Sequence, residues 1–344
     1  MGRKFASLDT TNKLLMLLVL PVFFLVLKEL SAIFVPLIIA SFFVLLFMPL
    51  IRWANRRNVP RWVSIVVIFV IFFIVVRSCV WLLQLTGNEF RTTDPQTWQN
   101  ILAEFNNFVV HFMQLIGLNE DVFLEYMKTN DITTTIYDNI GKVFVAVQRT
   151  ASIIFMSAFF IVLLIASSFN AQNLLQVTLF KDKMPSMRTY ITIERSISKF
   201  ILVKFLISLF TGISFSVLCY FFDVKFAIFW GMLAFILNFI QMIGSIISTA
   251  VMCVFGLTQI ATMPMIVLFI VIAILIQIFW GSILEPIFMG RTFSINTVTI
   301  IVMLFFWGYV WNIPGMILAV PLTVMVKTIL EQFDKTKQVA QLMS

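Results

Sequence analysis

The chain has 344 residues, of which 61% are hydrophobic and 12% are charged, and its mean hydropathy is +1.03. Soluble domains are about half apolar and about a quarter charged, so this composition excludes them and predicts a membrane protein. Basic loops beside anionic lipid account for the formal net charge of +8, which therefore requires no nucleic acid.

Long apolar runs follow one another along the chain. A membrane helix needs roughly 20 mostly apolar residues, because each residue rises about 1.5 Å through a hydrocarbon core of about 30 Å. The runs are continuous rather than alternating, which favours helices over the strands of a barrel. We predict an all-α polytopic membrane protein with about eight segments, at residues 14–28, 31–51, 62–85, 150–169, 205–222, 226–257, 264–284 and 296–326.

Two of these runs, 226–257 and 296–326, are much longer than a membrane helix needs to be. Straight helices of that length would measure about 45–50 Å, well over the thickness of the hydrocarbon core. Both runs also contain residues that interrupt helices. These residues are Asn238, Gln241 and Gly244 in the first run, and Asn312, Pro314 and Gly315 in the second. Both segments are expected to be kinked or re-entrant.

The distribution of basic residues in short loops predicts the orientation of the segments. Residues 170–204 carry six basic residues, Lys204 among them, against two acidic ones, whereas residues 86–149 carry eight acidic residues against four basic ones. Another loop has four basic residues and no acidic one, namely Arg52, Arg56, Arg57 and Arg61. We expect both basic regions and both termini in the cytoplasm, and residues 86–149 on the opposite side.

Apolar residues at three- and four-residue steps predict amphipathic helices on both sides of the membrane. Two stripes, 98–116 and 132–144, lie in the external segment, and a third, 187–201, lies on the cytoplasmic side. We favour packing or assembly over ligand binding for the external stripes. Anchoring on anionic lipid is the favoured role of the cytoplasmic stripe.

These features divide the chain into six regions. They are amino-terminal membrane helices with the Arg loop (1–85), an extracytoplasmic amphipathic helical insert (86–149), a membrane helix (150–169), a cytoplasmic amphipathic helix region (170–204), a carboxy-terminal membrane transport core (205–329) and a cytoplasmic tail (330–344).

Glu285 is a charged residue whose position the pattern of apolar runs does not explain. It precedes Pro286, lies between two apolar runs and is followed by Gly290 and Arg291. Because proline lacks an N–H, it frees a backbone carbonyl near this carboxylate. An ionisable residue within a membrane is a functional candidate by default. We predict Glu285 and Arg291 as the leading pair of a substrate or ion pathway, against the alternative of a structural ion pair at a helix end.

Other residues near the breaks are expected to line or shape this pathway. The polar candidates are Gln241, Asn238, Ser245 and Ser282. Positions expected to break helices or to allow close packing are Gly244, Pro286, Gly290, Pro314, Gly315 and Pro321. The three cysteines are isolated and the single histidine lies far from them, so we expect neither a metal site nor a disulfide.

Three carboxy-terminal motifs are specific enough to compare with known families. They read ILEPIFMGR at 283–291, FWG at 306–308 and GMILAVPL at 315–322. Paired amino-terminal segments, an Arg loop ending in VPR at 59–61 and a dense carboxy-terminal membrane block accompany them. In these motifs and in this layout, over nearly its full length, the chain resembles the autoinducer-2 exporter family of bacterial transporters.

The chain departs from the family pattern at three places. After Asn-Phe-Ile at 238–240 the family has a Pro-aromatic-x-Gly-Pro break, but residues 241–245 read QMIGS and lack both prolines. The Glu-Gly-Asn element of the family is Trp-Gly-Ser at 280–282, which removes one membrane-embedded carboxylate. A Gly-Gln pair of the cytoplasmic helix is replaced by Val-Lys at 203–204.

The resemblance implies export of a small signalling molecule or metabolite, such as autoinducer-2, by a homo-oligomer in the bacterial cytoplasmic membrane. Secondary transport driven by an ion gradient is favoured over a pump, because the sequence has no Gly-x-x-x-x-Gly-Lys-Ser/Thr loop to bind ATP. We expect no cofactor. The alternative within the family is a sodium/proton antiporter.

A passive channel or an envelope scaffold is the alternative of a different class. A transporter should depend on Glu285, Arg291 and the helix breaks, whereas a scaffold should depend on the stripe at 98–116. An enzyme is the least expected function. Intramembrane hydrolases need an activated nucleophile or a metal-binding histidine cluster, and the single histidine, His111, supplies neither.

Overall fold

The computed structural model describes residues 18–19, 21–57, 59–115, 153–165, 187–240, 243–289, 295–331 and 336–343. In these ranges every regular element is a helix and none is a strand, which confirms the predicted all-α class. The helices are α1 (21–29), α2 (Ser31–Arg56), α3 (Arg61–Thr92), α4 (Pro95–Leu115), α5 (Ile153–Ile165), α6 (Met187–Phe221), α7 (Ala227–Leu237), α8 (Ile243–Leu257), α9 (Met263–Met289), α10 (Thr297–Leu330) and α11 (Lys337–Leu342).

Five of the described helices are long and apolar enough to cross a membrane: Ser31–Ala54, Trp62–Phe90, Ile197–Phe221, Met263–Met289 and Thr297–Thr328. Large apolar side chains remain exposed along them, among them Phe73, Leu275 and Phe305. Apolar side chains that lie outside a packed core are stable when they face lipid instead of water. The chain is therefore an integral membrane protein.

The helices form two compact units. One comprises Met1–Val44, Ile153–Met184 and Ile295–Ser344, and the other comprises Leu45–Ser152 and Pro185–Ser294. In the second unit, Arg52 at the end of α2 forms an ion pair with Glu194 of α6, and the Ser198 hydroxyl donates a hydrogen bond to the Leu45 carbonyl at 2.6 Å. These contacts attach the start of α6 to α2.

The first of the two long runs folds back on itself as a helical hairpin. The ring of Trp230, near the start of α7, lies 4.9 Å from the ring of Phe255, near the end of α8. Outside the two helices, the N–H of Lys225 donates to Oε1 of Gln259 at 2.8 Å. With 11 residues, α7 is about 16 Å long, too short to cross a membrane. This run is therefore re-entrant rather than kinked.

Close backbone contacts hold the hairpin on α6. A Cβ atom at Gly212 of α6 would lie 2.6 Å from the carbonyl oxygen of Gly231 in α7, and one at Gly231 would lie 2.5 Å from the carbonyl oxygen of Gly212. Small residues at a crossing let two helix backbones approach within van der Waals distance. The crossing of α6 and α7 therefore depends on both glycines.

An acidic residue stabilises the beginning of the hairpin. Phe226 precedes α7 with a φ of 62° and is fully buried, and its ring stacks on that of Phe90 with centroids 4.0 Å apart. Its N–H donates to Oε1 of Glu89 at 2.9 Å. The first N–H groups of a helix lack partners within the helix, and a carboxylate there also complements the helix dipole. Glu89 thus acts as the cap that α7 lacks in its own sequence.

The second long run is broken at residues 311 and 312 in α10. Trp311 and Asn312 leave the helical region, with Asn312 at φ 53° and ψ −137°. A Cβ atom at Gly308 would lie 3.0 Å from Cγ of Met316, and one at Gly315 would collide with the carbonyl oxygen of Trp307. Residues eight apart in a straight helix are separated by about 12 Å. The two arms of α10 therefore lie against each other at the bend.

Helix α1 supports this bend within the first unit. The indole N–H of Trp311 donates to the Leu27 carbonyl at 3.0 Å, and this contact is buried. Phe24 packs edge-on against Phe306 with ring centroids 4.7 Å apart. The ammonium group of Lys28 lies 3.6 Å from the ring centroid of Tyr309, a cation–π contact.

Candidate functional site

A buried ion pair joins α6 to the carboxy-terminal end of α9. Nζ of Lys204 lies 2.8 Å from Oε1 and 3.0 Å from Oε2 of Glu285. The two residues are 4% and 6% exposed. Both lie in helices that are apolar enough to cross a membrane. A charge removed from water needs a partner at hydrogen-bonding distance, and each of these residues provides one for the other.

A π-helical segment, Ile278–Leu284, positions Glu285 toward α6. The N–H of Glu285 donates to the carbonyl of Trp280, five residues earlier, so the two side chains leave the same side of α9. The indole N–H of Trp280 donates to the Ser214 hydroxyl at 3.0 Å, and its ring stacks on that of Phe210. The π segment therefore directs both Trp280 and Glu285 to α6. In a regular α-helix these two side chains would point to different sides. Such segments are frequent at functional sites.

A second polar contact lies one turn along α6 from the ion pair. Nδ2 of Asn238, at the end of α7, donates to the Ser208 hydroxyl at 3.0 Å, and both residues are buried. Lys204 and Ser208 are four residues apart and thus share one face of α6, and the buried hydroxyl of Thr211 continues that face. The site therefore combines a carboxylate, an ammonium group, an amide and two hydroxyls beside the tip of the hairpin.

Asn238→Leu is expected to destabilise the protein by about 1–3 kcal/mol, because the substitution leaves the buried Ser208 hydroxyl without the amide donor. Denaturant unfolding of the purified protein in micelles measures this change. The double variant Asn238→Leu with Ser208→Ala removes both polar groups and should recover most of the loss. Equal stability of the single variant and the wild type would show that the buried contact contributes nothing.

The structure locates four of the six predicted pathway residues. Glu285 and Asn238 are buried in the site described above. Ser245 lies in the first turn of α8, where its carbonyl accepts hydrogen bonds from the hydroxyls of Ser248 and Thr249. Ser282 is exposed on the π segment. Gln241 and Arg291, including the predicted pairing of Arg291 with Glu285, lie outside the described residues.

The predicted break positions fall in both units. Gly244 is the second residue of α8, where a Cβ atom would collide with the Leu237 carbonyl oxygen. Pro286 is exposed in the last turn of α9. Pro314, Gly315 and Pro321 lie in α10, of which Pro314 and Gly315 follow the bend directly, and Gly290 lies outside the described residues.

Lys204, Ser208 and Thr211 belong to the site but are not among the pathway residues predicted from the sequence. The basic residues of 170–204 include Lys204, yet it is buried in a helix that is apolar enough to cross a membrane. Two signals could have identified it: the family pattern has an uncharged residue at this position, and Ser208 follows four residues later, about one helical turn. An isolated lysine with a polar residue on the same face of an apolar helix indicates a buried pair.

The described residues contain no group of three or more histidine, cysteine, aspartate or glutamate side chains that could hold a metal ion. The side chains that the described site offers to a bound group are a carboxylate, an ammonium group, an amide and two hydroxyls. The model of a family described as AI-2E family transporters matches residues 14–335. The chain belongs to this family.

Three relatives match this chain over most of their own length. It is 29% identical over 361 residues to the AI-2 transport protein TqsA of Escherichia coli (strain K12), covering 100% of this chain and 98% of the relative. It is 26% identical over 326 residues to a provisionally named transport protein of Haemophilus influenzae, covering 92% and 91%. It is 25% identical over 325 residues to YrrI of Bacillus subtilis (strain 168), also a provisionally named transport protein, covering 90% of this chain and 88% of the relative. The resemblance inferred from the motifs is thereby confirmed.

Proposed function

We propose that this protein is a secondary transporter that exports a small signalling molecule or metabolite of the autoinducer-2 type, driven by an ion gradient. The observation that carries the proposal is the buried pair Lys204–Glu285 between two membrane helices. Charged groups are costly in a membrane and are retained mainly along substrate and ion pathways. The name of TqsA as an AI-2 transport protein supports the choice of solute class.

The polar groups of the site suit a small solute rich in hydroxyl groups. Glu285 supplies two acceptor oxygens, while Lys204 and Asn238 supply donors. Such a solute would exchange its hydrogen bonds with water for hydrogen bonds with this set. The apolar helices around the site would exclude water and so strengthen each of these bonds.

The re-entrant hairpin is the element that we propose to move. Asn238 lies at the tip of the hairpin, and transporters commonly form their sites from interrupted helices of this kind. A shift of α7 against α6 would break the contact of Asn238 with Ser208 and expose the ion pair to one side of the membrane. Alternating exposure would carry the solute across.

We propose that the protein resides in the bacterial cytoplasmic membrane with both termini in the cytoplasm, as a homo-oligomer. The basic residues at 52–61 and those that precede the buried Lys204 in 170–204 support this orientation, since short cytoplasmic loops carry an excess of lysine and arginine. The exposed apolar surfaces of the membrane helices support contacts with further copies as well as with lipid.

Three other functions fit the site less well. Sodium/proton antiport requires a carboxylate that exchanges both ions, whereas Glu285 is held at both oxygens by Lys204. An envelope scaffold has no need of a buried ion pair, which can often be replaced by apolar residues without loss of stability. A passive channel needs a continuous polar path rather than a hairpin packed tightly on α6.

Solute flux in proteoliposomes tests the proposal. Glu285→Gln is expected to reduce gradient-driven efflux of autoinducer-2 and related polar metabolites at least tenfold, at equal amounts of protein in the membrane. Glu104→Gln, which changes an exposed glutamate of α4, serves as the matched control and should transport like the wild type. Undiminished flux through Glu285→Gln, or flux that ignores every imposed gradient, would exclude a coupled transporter centred on this carboxylate.

A further inference from the structure

We propose that Lys204 is a tethered cation that fills the only monovalent-cation position on Glu285, so that this carboxylate binds no free sodium in the wild-type protein. Removing the lysine ammonium should uncover a latent sodium site. The inference rests on the proposed function, in which Glu285 is part of the transport pathway. It deepens that function by excluding sodium as an ion that Glu285 binds.

The geometry of the pair carries the inference. Nζ of Lys204 contacts both oxygens of Glu285, at 2.8 Å and 3.0 Å, in the bridging position that a bound cation would occupy. The side chains of Lys204 and Glu285 are only 5% and 9% exposed, which leaves the carboxylate little access to other ions. A sodium ion could therefore reach these oxygens only by displacing the ammonium group.

Charge repulsion opposes a second cation at this carboxylate. Two positive charges that share one carboxylate lie close enough to repel each other strongly at the effective dielectric constant of protein sites. The buried polar side chains that follow Lys204 on the same face of α6, Ser208 and Thr211, and Asn238 at the end of α7 are all neutral. They offer no second negative charge to offset the repulsion, so the carboxylate holds one cation at a time.

Lys204→Gln is the variant that uncovers the site. It removes the ammonium group, shortens the side chain and supplies an amide oxygen, a ligand type that hard cations accept. The double variant Lys204→Gln with Glu285→Gln carries the same loss of lysine but no carboxylate. Arg291 lies outside the described residues and is unchanged in every variant.

Equilibrium binding of radioactive sodium to the purified full-length protein in micelles tests the inference without any transport substrate. The wild type and the double variant are expected to bind no saturable sodium, and Lys204→Gln is expected to bind one ion per chain. Thermal unfolding in sodium chloride against choline chloride at equal ionic strength gives a second measure. Only Lys204→Gln should unfold at a higher temperature in sodium.

Two results would overturn the inference. One is saturable sodium binding by the wild type that Glu285→Gln abolishes, a measurement that needs no lysine variant to fold. The other is a folded Lys204→Gln protein that binds no more sodium than the double variant does. Because neither readout involves solute flux, failure of this inference is distinguishable from failure of the proposed export function.

Discussion

Lys204→Met is expected to lower the free energy of unfolding by about 3–5 kcal/mol, because Glu285 is then left as a buried charge without its partner. Both residues are nearly inaccessible to solvent, so water cannot replace the ammonium group without local opening of the helices. Unfolding of the purified protein by denaturant in micelles measures the loss. Glu285→Met should lower the free energy of unfolding by a similar amount, since it leaves the buried ammonium group of Lys204 without a partner.

Two controls separate the cost of a buried charge without a partner from the cost of altered packing. The double variant Lys204→Met with Glu285→Met should regain most of the stability, because well-packed apolar residues replace buried ion pairs with little net cost. Arg52→Met breaks the more exposed ion pair with Glu194 and should cost about 1 kcal/mol or less. A double variant as unstable as both single variants combined would refute a direct coupling between Lys204 and Glu285.

Gly244→Ala and Gly315→Ala are each expected to destabilise the protein by about 3 kcal/mol or more, because the added methyl group has no space. At Gly244 it would meet the carbonyl of Leu237, whose carbon lies 2.6 Å away, and at Gly315 that of Trp307, at 2.7 Å. Backbone atoms cannot rotate aside as a side chain can. The yield of monodisperse protein and its unfolding midpoint in micelles measure the effect.

Gly281→Ala is the matched control for these two substitutions. A methyl group at Gly281 would meet only Nε2 of Gln277, at 3.2 Å, and this atom ends a flexible side chain. Alanine is also favoured over glycine within a helix by about 1 kcal/mol. Gly281→Ala should therefore be neutral or slightly stabilising, and equal losses at all three glycines would contradict a role for the helix breaks.

Composition and breaker residues determined the membrane class and the order of helices in this protein. Apolar runs of sufficient length can only be accommodated as helices in lipid, where every backbone hydrogen bond must form within the segment. Asn238 and Gly244, and Asn312 and Gly315, indicated where two of these runs would be interrupted. Glu285 could be selected because a carboxylate in an apolar run is costly wherever it is located.

Only the tertiary structure decided which residue pairs with Glu285 and how the interrupted runs continue. Lys204 is 81 residues away, and α6 gives little sign of which face is buried, because lipid and protein interior are equally apolar. Likewise, the breakers of 226–257 permit a kink or a reversal, and the packing of Trp230 on Phe255 makes it a reversal. Local sequence thus fixes where a membrane helix forms and breaks, whereas its direction and partners follow from contacts between distant segments.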